Sequence, residues 1–128
     1  MDNHKNHSEL VNGFLNEQKD IFDNSTQGIY VFLDDDARLC NEKFATLLGY
    51  TSPDEWRRVD VKGSFPQAFV HRKSQGILIT AYQNAMEKMA SSTFKVTWLK
   101  KSGETVDTTV TLVPIVYQGH LFALHFVS

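Results

Sequence analysis

The spacing of apolar and polar positions changes several times along this chain. Leu10, Val11, Phe14, Leu15, Ile21 and Phe22 recur at near-helical intervals, which predicts an amphipathic helix over residues 8–24, capped by Ser8 after a polar, frayed stretch of residues 1–7. "GIYVFLD", residues 28–34, is β-branched and aromatic with apolar side chains on both parities, the pattern of a strand covered on both faces. "DDDAR" turns the chain, and "RLC" is a short second strand. "NEKFATLLGYTSPDEW", residues 41–56, then holds two sets of helix punctuation. Asn41 suits an N-cap, Phe44, Leu47 and Leu48 make one apolar face, and Gly49 sits where a left-handed C′ residue belongs. Ser52-Pro53-Asp54-Glu55 is a capping box with proline at the first helical position. Helices this short need a packing partner to persist. Residues 63–70 are loosely helical around Phe65 and Phe69, and residues 75–90 form the longest helix, with Leu78, Ala81, Tyr82, Ala85 and Met89 on one face.

The period then falls to two. Phe94, Val96 and Trp98 alternate with polar residues, "KKSGE" makes a hairpin loop, and Val106, Thr108, Val110 and Leu112 alternate up to Pro114. "YQGH" turns the chain again, and residues 121–127 close it as a strand that is apolar at nearly every position. The order predicts an α+β fold: one antiparallel sheet with helices against one face.

Composition narrows the picture. At 128 residues the chain builds one core, and 41% hydrophobic with 22% charged residues is ordinary for a globular domain. A net charge of −2, with only short and scattered basic clusters, leaves no footprint for nucleic acid. The single cysteine, Cys40, excludes an internal disulfide. No apolar run is long enough to span a membrane and no secretory signal opens the chain, so the expected location is cytoplasmic.

Three features together carry a family resemblance: the apolar strand ending at Asp34, the Asn-x-x-Phe-x-x-Leu-Leu-Gly-Tyr string of residues 41–50 with its following Ser-Pro-Asp-Glu, and "FVHRKS" ahead of the long helix and three closing strands. Residues 21–127 resemble a PAS domain. The resemblance implies a five-stranded antiparallel sheet with short helices and one long helix on one face, and a ligand pocket between helices and sheet. It divides the chain into residues 1–20, an N-terminal amphipathic helix on the other face that serves dimerisation or capping, and the PAS domain at residues 21–128. The chain departs from the family in ways that bear on cofactors. His71-Arg72-Lys73-Ser74 stands where many relatives have His-Pro-Glu-Asp. The reactive cysteine of light-sensing relatives has no counterpart after the two short helices, so flavin–cysteine photochemistry is not expected. Residues 75–90 lack the histidine that haem-binding relatives place on this helix, so haem is not favoured. The cofactor stays open.

Counting back from Asp34 as flavin-binding relatives are phased, the resemblance turns Ile29, Val31 and Leu33 toward the pocket and Tyr30 and Phe32 away. The pocket candidates are then Val31, Leu33, Phe44, Leu48, Leu78, Tyr82, Val96, Trp98, Thr108, Val110, Ala123 and His125. His125 occupies the place of a glutamine that hydrogen-bonds the flavin ring in those relatives. The dimer-interface candidates are Phe14, Leu15, Ile21 and Phe22 on the N-terminal helix and Tyr30, Phe32, Phe122, Leu124 and Phe126 on the sheet, a larger apolar surface than a monomer leaves wet.

Other polar groups point to local roles. His71 is expected to hold the start of the long helix, His4 and His7 to meet solvent rather than a metal, residues 34–36 to form a turn, and Cys40 to be an inert, partly buried thiol. No metal site, phosphate loop or nucleophile elbow is present, so catalysis is not expected. The expected function is sensory: a module that binds a small ligand between sheet and helices, mediates homodimerisation, or both, and relays its state to an effector such as a histidine kinase or cyclase, in cis or in trans. The alternatives are a ligand-free protein-interaction module with a filled core and, third, a small α+β enzyme.

Overall fold

The structure is a computed structural model that describes residues 3–34 and 37–128, with side chains from residue 9 onward. The side chains of His4 and His7, expected to meet solvent, and Asp35 and Asp36, expected in a turn, lie outside the described residues. The chain runs α1 (Asn3–Glu17), α2 (Lys19–Asn24), β1 (Gly28–Phe32), β2 (Arg38–Cys40), α3 (Glu42–Leu47), α4 (Pro53–Arg57), α5 (Phe65–Phe69), α6 (Arg72–Lys88), β3 (Ser92–Leu99), β4 (Thr105–Tyr117) and β5 (His120–Val127). The five strands form one antiparallel sheet in the order β2-β1-β5-β4-β3. Helices α3 to α6 pack on one face, called inner below, and α1 and α2 cover the other. The predicted α+β architecture is therefore the observed one.

Local chemistry sets most of the boundaries. The Asn41 side-chain oxygen accepts from the Phe44 N–H at 3.0 Å, capping α3, and Gly49 follows at φ +85°, which a Cβ would strain. Ser52 Oγ accepts from the Glu55 N–H at 3.1 Å. The Glu55 carboxylate reaches back to the Thr51 N–H at 2.8 Å, so the box closes one residue earlier than the cap itself. The β4–β5 hairpin turns on Gln118 and Gly119 at φ +50° and +79°, the mirror-image turn that matches strand twist.

Several predicted boundaries move, each for a tertiary reason. The N-terminal helix begins at Asn3 and runs through Ser8, and it breaks at Gln18 (φ −107°, ψ 17°) into two helices. The break shifts the helical phase, so Phe22 is buried while Ile21 is 56% exposed. The long helix starts at Arg72, where His71 Nδ1 accepts from the Lys73 N–H at 3.1 Å, and Met89, expected on the buried face, instead adopts a left-handed C-cap conformation and is 53% exposed. β4 does not stop at Pro114 but continues to Tyr117. Its pairing with β3 ends at Leu112, opposite Ser92, so Pro114 lies where β4 has β5 alone as a neighbour and a missing N–H leaves no ladder gap.

Candidate functional site

Strand register decides which residues can share a site. Tyr30 pairs with His125 and Phe32 with Ala123, and residues directly opposite one another lie on the same face. Ala123 and His125 face α3–α6, so Tyr30 and Phe32 do too, while Ile29, Val31, Leu33, Phe122, Leu124 and Phe126 face α1 and α2. The phasing of the first strand is thereby corrected. Val31 and Leu33 do not face the pocket side, and Tyr30 and Phe32 do not belong to the outer surface. The anchor was the first residue of a run of three aspartates, and a one-residue slip moves every side chain of a strand to the opposite face. The β5 phase stands as expected.

The inner core is an aromatic assembly. Tyr30 stacks on His125 with centroids 3.8 Å apart and 7° between planes, and on Phe65 at 5.5 Å and 19°. Phe44 lies 4.7 Å from Tyr30, and Trp98 meets both edge-on at 5.5 and 5.2 Å. Trp56 packs edge-on against Phe44 at 5.3 Å. Trp98 Nε1 donates to Thr108 Oγ1 at 2.8 Å, and that hydroxyl donates to the Val96 carbonyl at 3.0 Å, so this pair is internally satisfied. Phe44, Leu48, Trp98, Val110 and Ala123 are buried on the inner side, and Val96 and Thr108 border a separate pocket with Ser74, Ile77, Thr97 and Asp107.

A cavity of about 220 Å³ remains between β1, β5, α5 and α6, lined by Tyr30, Phe32, Ser64, Phe65, Pro66, Leu78, Ile79, Tyr82 and His125. Of the sequence candidates, Leu78, Tyr82 and His125 reach it. Tyr30 and Phe32, expected on the outer face, line it as well. Ser64, Phe65, Pro66 and Ile79 carry no pattern that separates a cavity wall from a helix start or an exposed helix position. Two of the lining residues also carry a polar atom that is buried away from the cavity surface without a hydrogen-bond partner among the described residues, Tyr30 Oη and His125 Nδ1. Burial lowers the His125 imidazole to about 3, partly offset by the backbone of Tyr30 and Ala123, so it is neutral at neutral pH. Burial also raises the Tyr30 phenol well above its usual range.

Two buried polar residues brace the surroundings. Asn41 Oδ1 also accepts from the Ile29 N–H at 2.9 Å, and its Nδ2 donates to the carbonyls of Phe22 (3.2 Å) and Gln27 (3.0 Å), tying α2, β1 and α3 together. A Cβ at Gly28 would lie 3.2 Å from Phe44 Cα, so glycine permits the close approach of β1 to α3. Arg38, buried at 2% exposure, donates through Nη2 to the carbonyls of Trp56, Arg57 and Val59 and lies 5.1 Å over the Trp56 ring. Nothing in its short strand distinguishes it in sequence from a surface arginine. Burial pushes the Cys40 thiol well up, away from a reactive thiolate. Among the described residues no group of three or more His, Cys, Asp or Glu side chains converges for a metal, and no helix is long and apolar enough to cross a membrane.

On the outer face, Val11, Phe14 and Phe22 pack on Ile29, Val31, Leu39 and Phe122 of the same chain, with Leu15, Leu124 and Phe126 partly buried around them. Phe14 contacts the Phe122 ring at 5.8 Å and Phe22 at 6.2 Å.

The architecture is thus a mixed-order antiparallel sheet with helices folded over one face and a small cavity between them. The family model for the PAS domain matches residues 16–81. Solved structures agree in fold. A PAS domain from a two-component sensor histidine kinase superposes with a TM-score of 0.65 at 17% identity, covering 91% of this chain and 95% of that one. The PAS domain of an HTR-like protein from Haloarcula marismortui gives 0.62 at 19% identity, with 97% and 98% covered. The PAS domain of nitrogen regulation protein NR(II) from Vibrio parahaemolyticus gives 0.60 at 22% identity, with 85% and 94% covered. Comparison with curated proteins finds no match. This chain belongs to the PAS family, whose domains are sensory and signalling modules.

Proposed function

We propose that this PAS domain is a ligand-sensing module whose cavity between β1, β5, α5 and α6 binds a small molecule and whose occupancy alters the α1–α2 layer. The carrying observation is the apolar cavity of about 220 Å³ between sheet and helices, lined by Tyr30, Phe32, Phe65, Leu78, Tyr82 and His125. The route outward is short. Along β1, Tyr30 and Phe32 face the cavity while Ile29 and Val31 pack under α1 and α2, so one strand touches both layers. A ligand shifts that layer only as far as it binds one arrangement better than the other. The effector reached through it is a histidine kinase or cyclase, in cis or in trans, and the module acts in the cytoplasm by binding rather than by catalysis. Homodimerisation belongs to the same proposal, through Ile21 and the partly exposed Leu124 and Phe126 at the margin of the layer.

Native mass spectrometry and melting curves against a chemically diverse panel test this. A bound mass, a raised melting temperature and altered amide exchange in α1 and α2 are expected. If nothing binds or shifts the melting curve, sensing is overturned and the aromatic inner core supports the ligand-free interaction module instead. Light scattering reports the dimer separately.

A further inference from the structure

We infer that the cavity holds the tail of a free, single-tailed amphiphile, an unbranched alkyl chain of about eight carbons whose end lies on the cavity floor and whose polar head stays at the mouth. The inference deepens the sensing reading and rests on it.

The wall decides the chemistry. It is almost wholly apolar, because Tyr30 and His125 turn ring carbons toward the cavity and keep Oη and Nδ1 buried away from it. A guest group that needs a hydrogen bond would lose its water here and gain no partner. No lining side chain is charged at neutral pH, so an ion is excluded for the same reason. Such a wall also gives water nothing to hold it, so an entering tail displaces no well-ordered water. The rings decide the shape. Phe32 already meets Phe65 at 5.3 Å and Tyr82 at 5.3 Å, both edge-on, and no slot separates them for a further ring. What remains is space beside the aliphatic Leu78 and Ile79, which a flexible chain can follow. Exposure decides the direction. Tyr30, Phe65, Leu78 and His125, the floor, are at most 4% exposed, whereas Ser64, Pro66 and Tyr82 are half-buried and Ile79 is 42% exposed. A head group at that rim keeps its water while the tail enters. Volume decides the length. An engineered apolar cavity of about 150 Å³ binds benzene, and at the same filling about 220 Å³ takes roughly eight or nine carbons.

The test titrates the full chain at pH 7 with butan-1-ol, hexan-1-ol, octan-1-ol and decan-1-ol while amide resonances of β1, β5, α5 and α6 are followed. Affinity should rise about fourfold per added methylene up to octanol, each carbon entering the cavity, and then level off. Octane-1,8-diol, which carries a second hydroxyl to the floor, should bind about tenfold or more weakly than octanol. Leu78→Phe should move the break to shorter chains, so that hexanol binds as tightly as octanol. Tyr82→Ala should move it to longer chains, so that decanol binds more tightly than octanol. Tyr82 is only half-buried, so if Leu78→Phe does not fold, Tyr82→Ala decides the length alone. Phosphatidylcholine vesicles should leave the resonances unmoved, and a shift on adding them would assign the tail to a bilayer lipid and overturn the free amphiphile. An affinity that climbs undiminished to decanol, a diol as tight as octanol, or a break unmoved by Tyr82→Ala also overturns the inference. If another class of molecule shifts the cavity resonances while the alcohols do not, the ligand class is wrong and the sensing reading stands. If nothing shifts them, both fall.

Discussion

The two faces of the sheet are both apolar, yet they are built to different standards. The outer face, under α1 and α2, brings Val11, Phe14 and Phe22 onto Ile29, Val31, Leu39 and Phe122, and none of the buried unpartnered side-chain atoms among the described residues belongs to that cluster. The inner face carries Tyr30, Trp56, Ser92 and His125, each with such an atom, and it also holds the cavity. Packing alone would favour apolar residues of the same shape at these positions, because an unsatisfied buried group costs roughly 1–3 kcal/mol. The outer layer therefore has the character of a stability contact. The inner layer carries that cost and also leaves a cavity unfilled.

Removing the outer cover is the harshest way to break this comparison. Deleting residues 1–18 strips Val11 and Phe14 from the sheet, and each buried side chain of that kind is worth about 1.5–3 kcal/mol. Denaturant unfolding should show a loss of roughly 3–6 kcal/mol on that basis. Light scattering should show association through the bared sheet. A truncation as stable and monodisperse as the full chain would mean that the outer layer contributes nothing.

Phe44→Ala strikes the inner core at a fully buried ring and should cost about 3–5 kcal/mol in the same assay. A smaller loss would indicate that the inner assembly collapses around the gap and is looser than the ring geometry suggests.

Asn41→Ala acts on the seam between the two layers. It removes the α3 cap and leaves the Phe22 and Gln27 carbonyls and the Ile29 N–H without their side-chain partner. A loss of about 2–3 kcal/mol is expected, more than the roughly 1 kcal/mol of an isolated cap. A loss no larger than the isolated cap would show that α2 and β1 do not depend on this side chain.

The gentlest test is pH. The unfolded imidazole of His125 titrates near its ordinary 6.5, whereas burial lowers the folded one to about 3. Between those values the unfolded chain binds the extra proton, so stability is full above pH 6.5 and declines as the pH falls toward 3. The slope approaches about 1.4 kcal/mol per pH unit. His125→Leu should flatten this dependence. An unchanged pH profile in that variant would mean that the imidazole is protonated in the folded state or is not buried.

What the sequence determined by itself is the set of elements whose signals are local. Asn41, Gly49, Ser52-Pro53 and the Gln118-Gly119 turn act through their own backbone neighbours, so the short helices and hairpins follow from a few residues each. The two-residue period of β3 and early β4 likewise placed Phe94, Val96, Trp98, Val110 and Leu112 on one face, because polar residues alternate with them. Tertiary structure alone decided the face of β1. Its residues are apolar on both parities, so hydrophobicity cannot distinguish Tyr30 from Val31, and only the pairing of Tyr30 with His125 resolves it. The same holds for the burial of Arg38, which depends on carbonyls 18 to 21 residues away, for the exposure of Ile21 beyond the break at Gln18, and for Pro114, tolerated because β3 starts too late to pair with it. Local patterns record what a residue does to its own backbone. A cavity wall is assembled from β1, β5, α5 and α6, and no stretch of chain contains it.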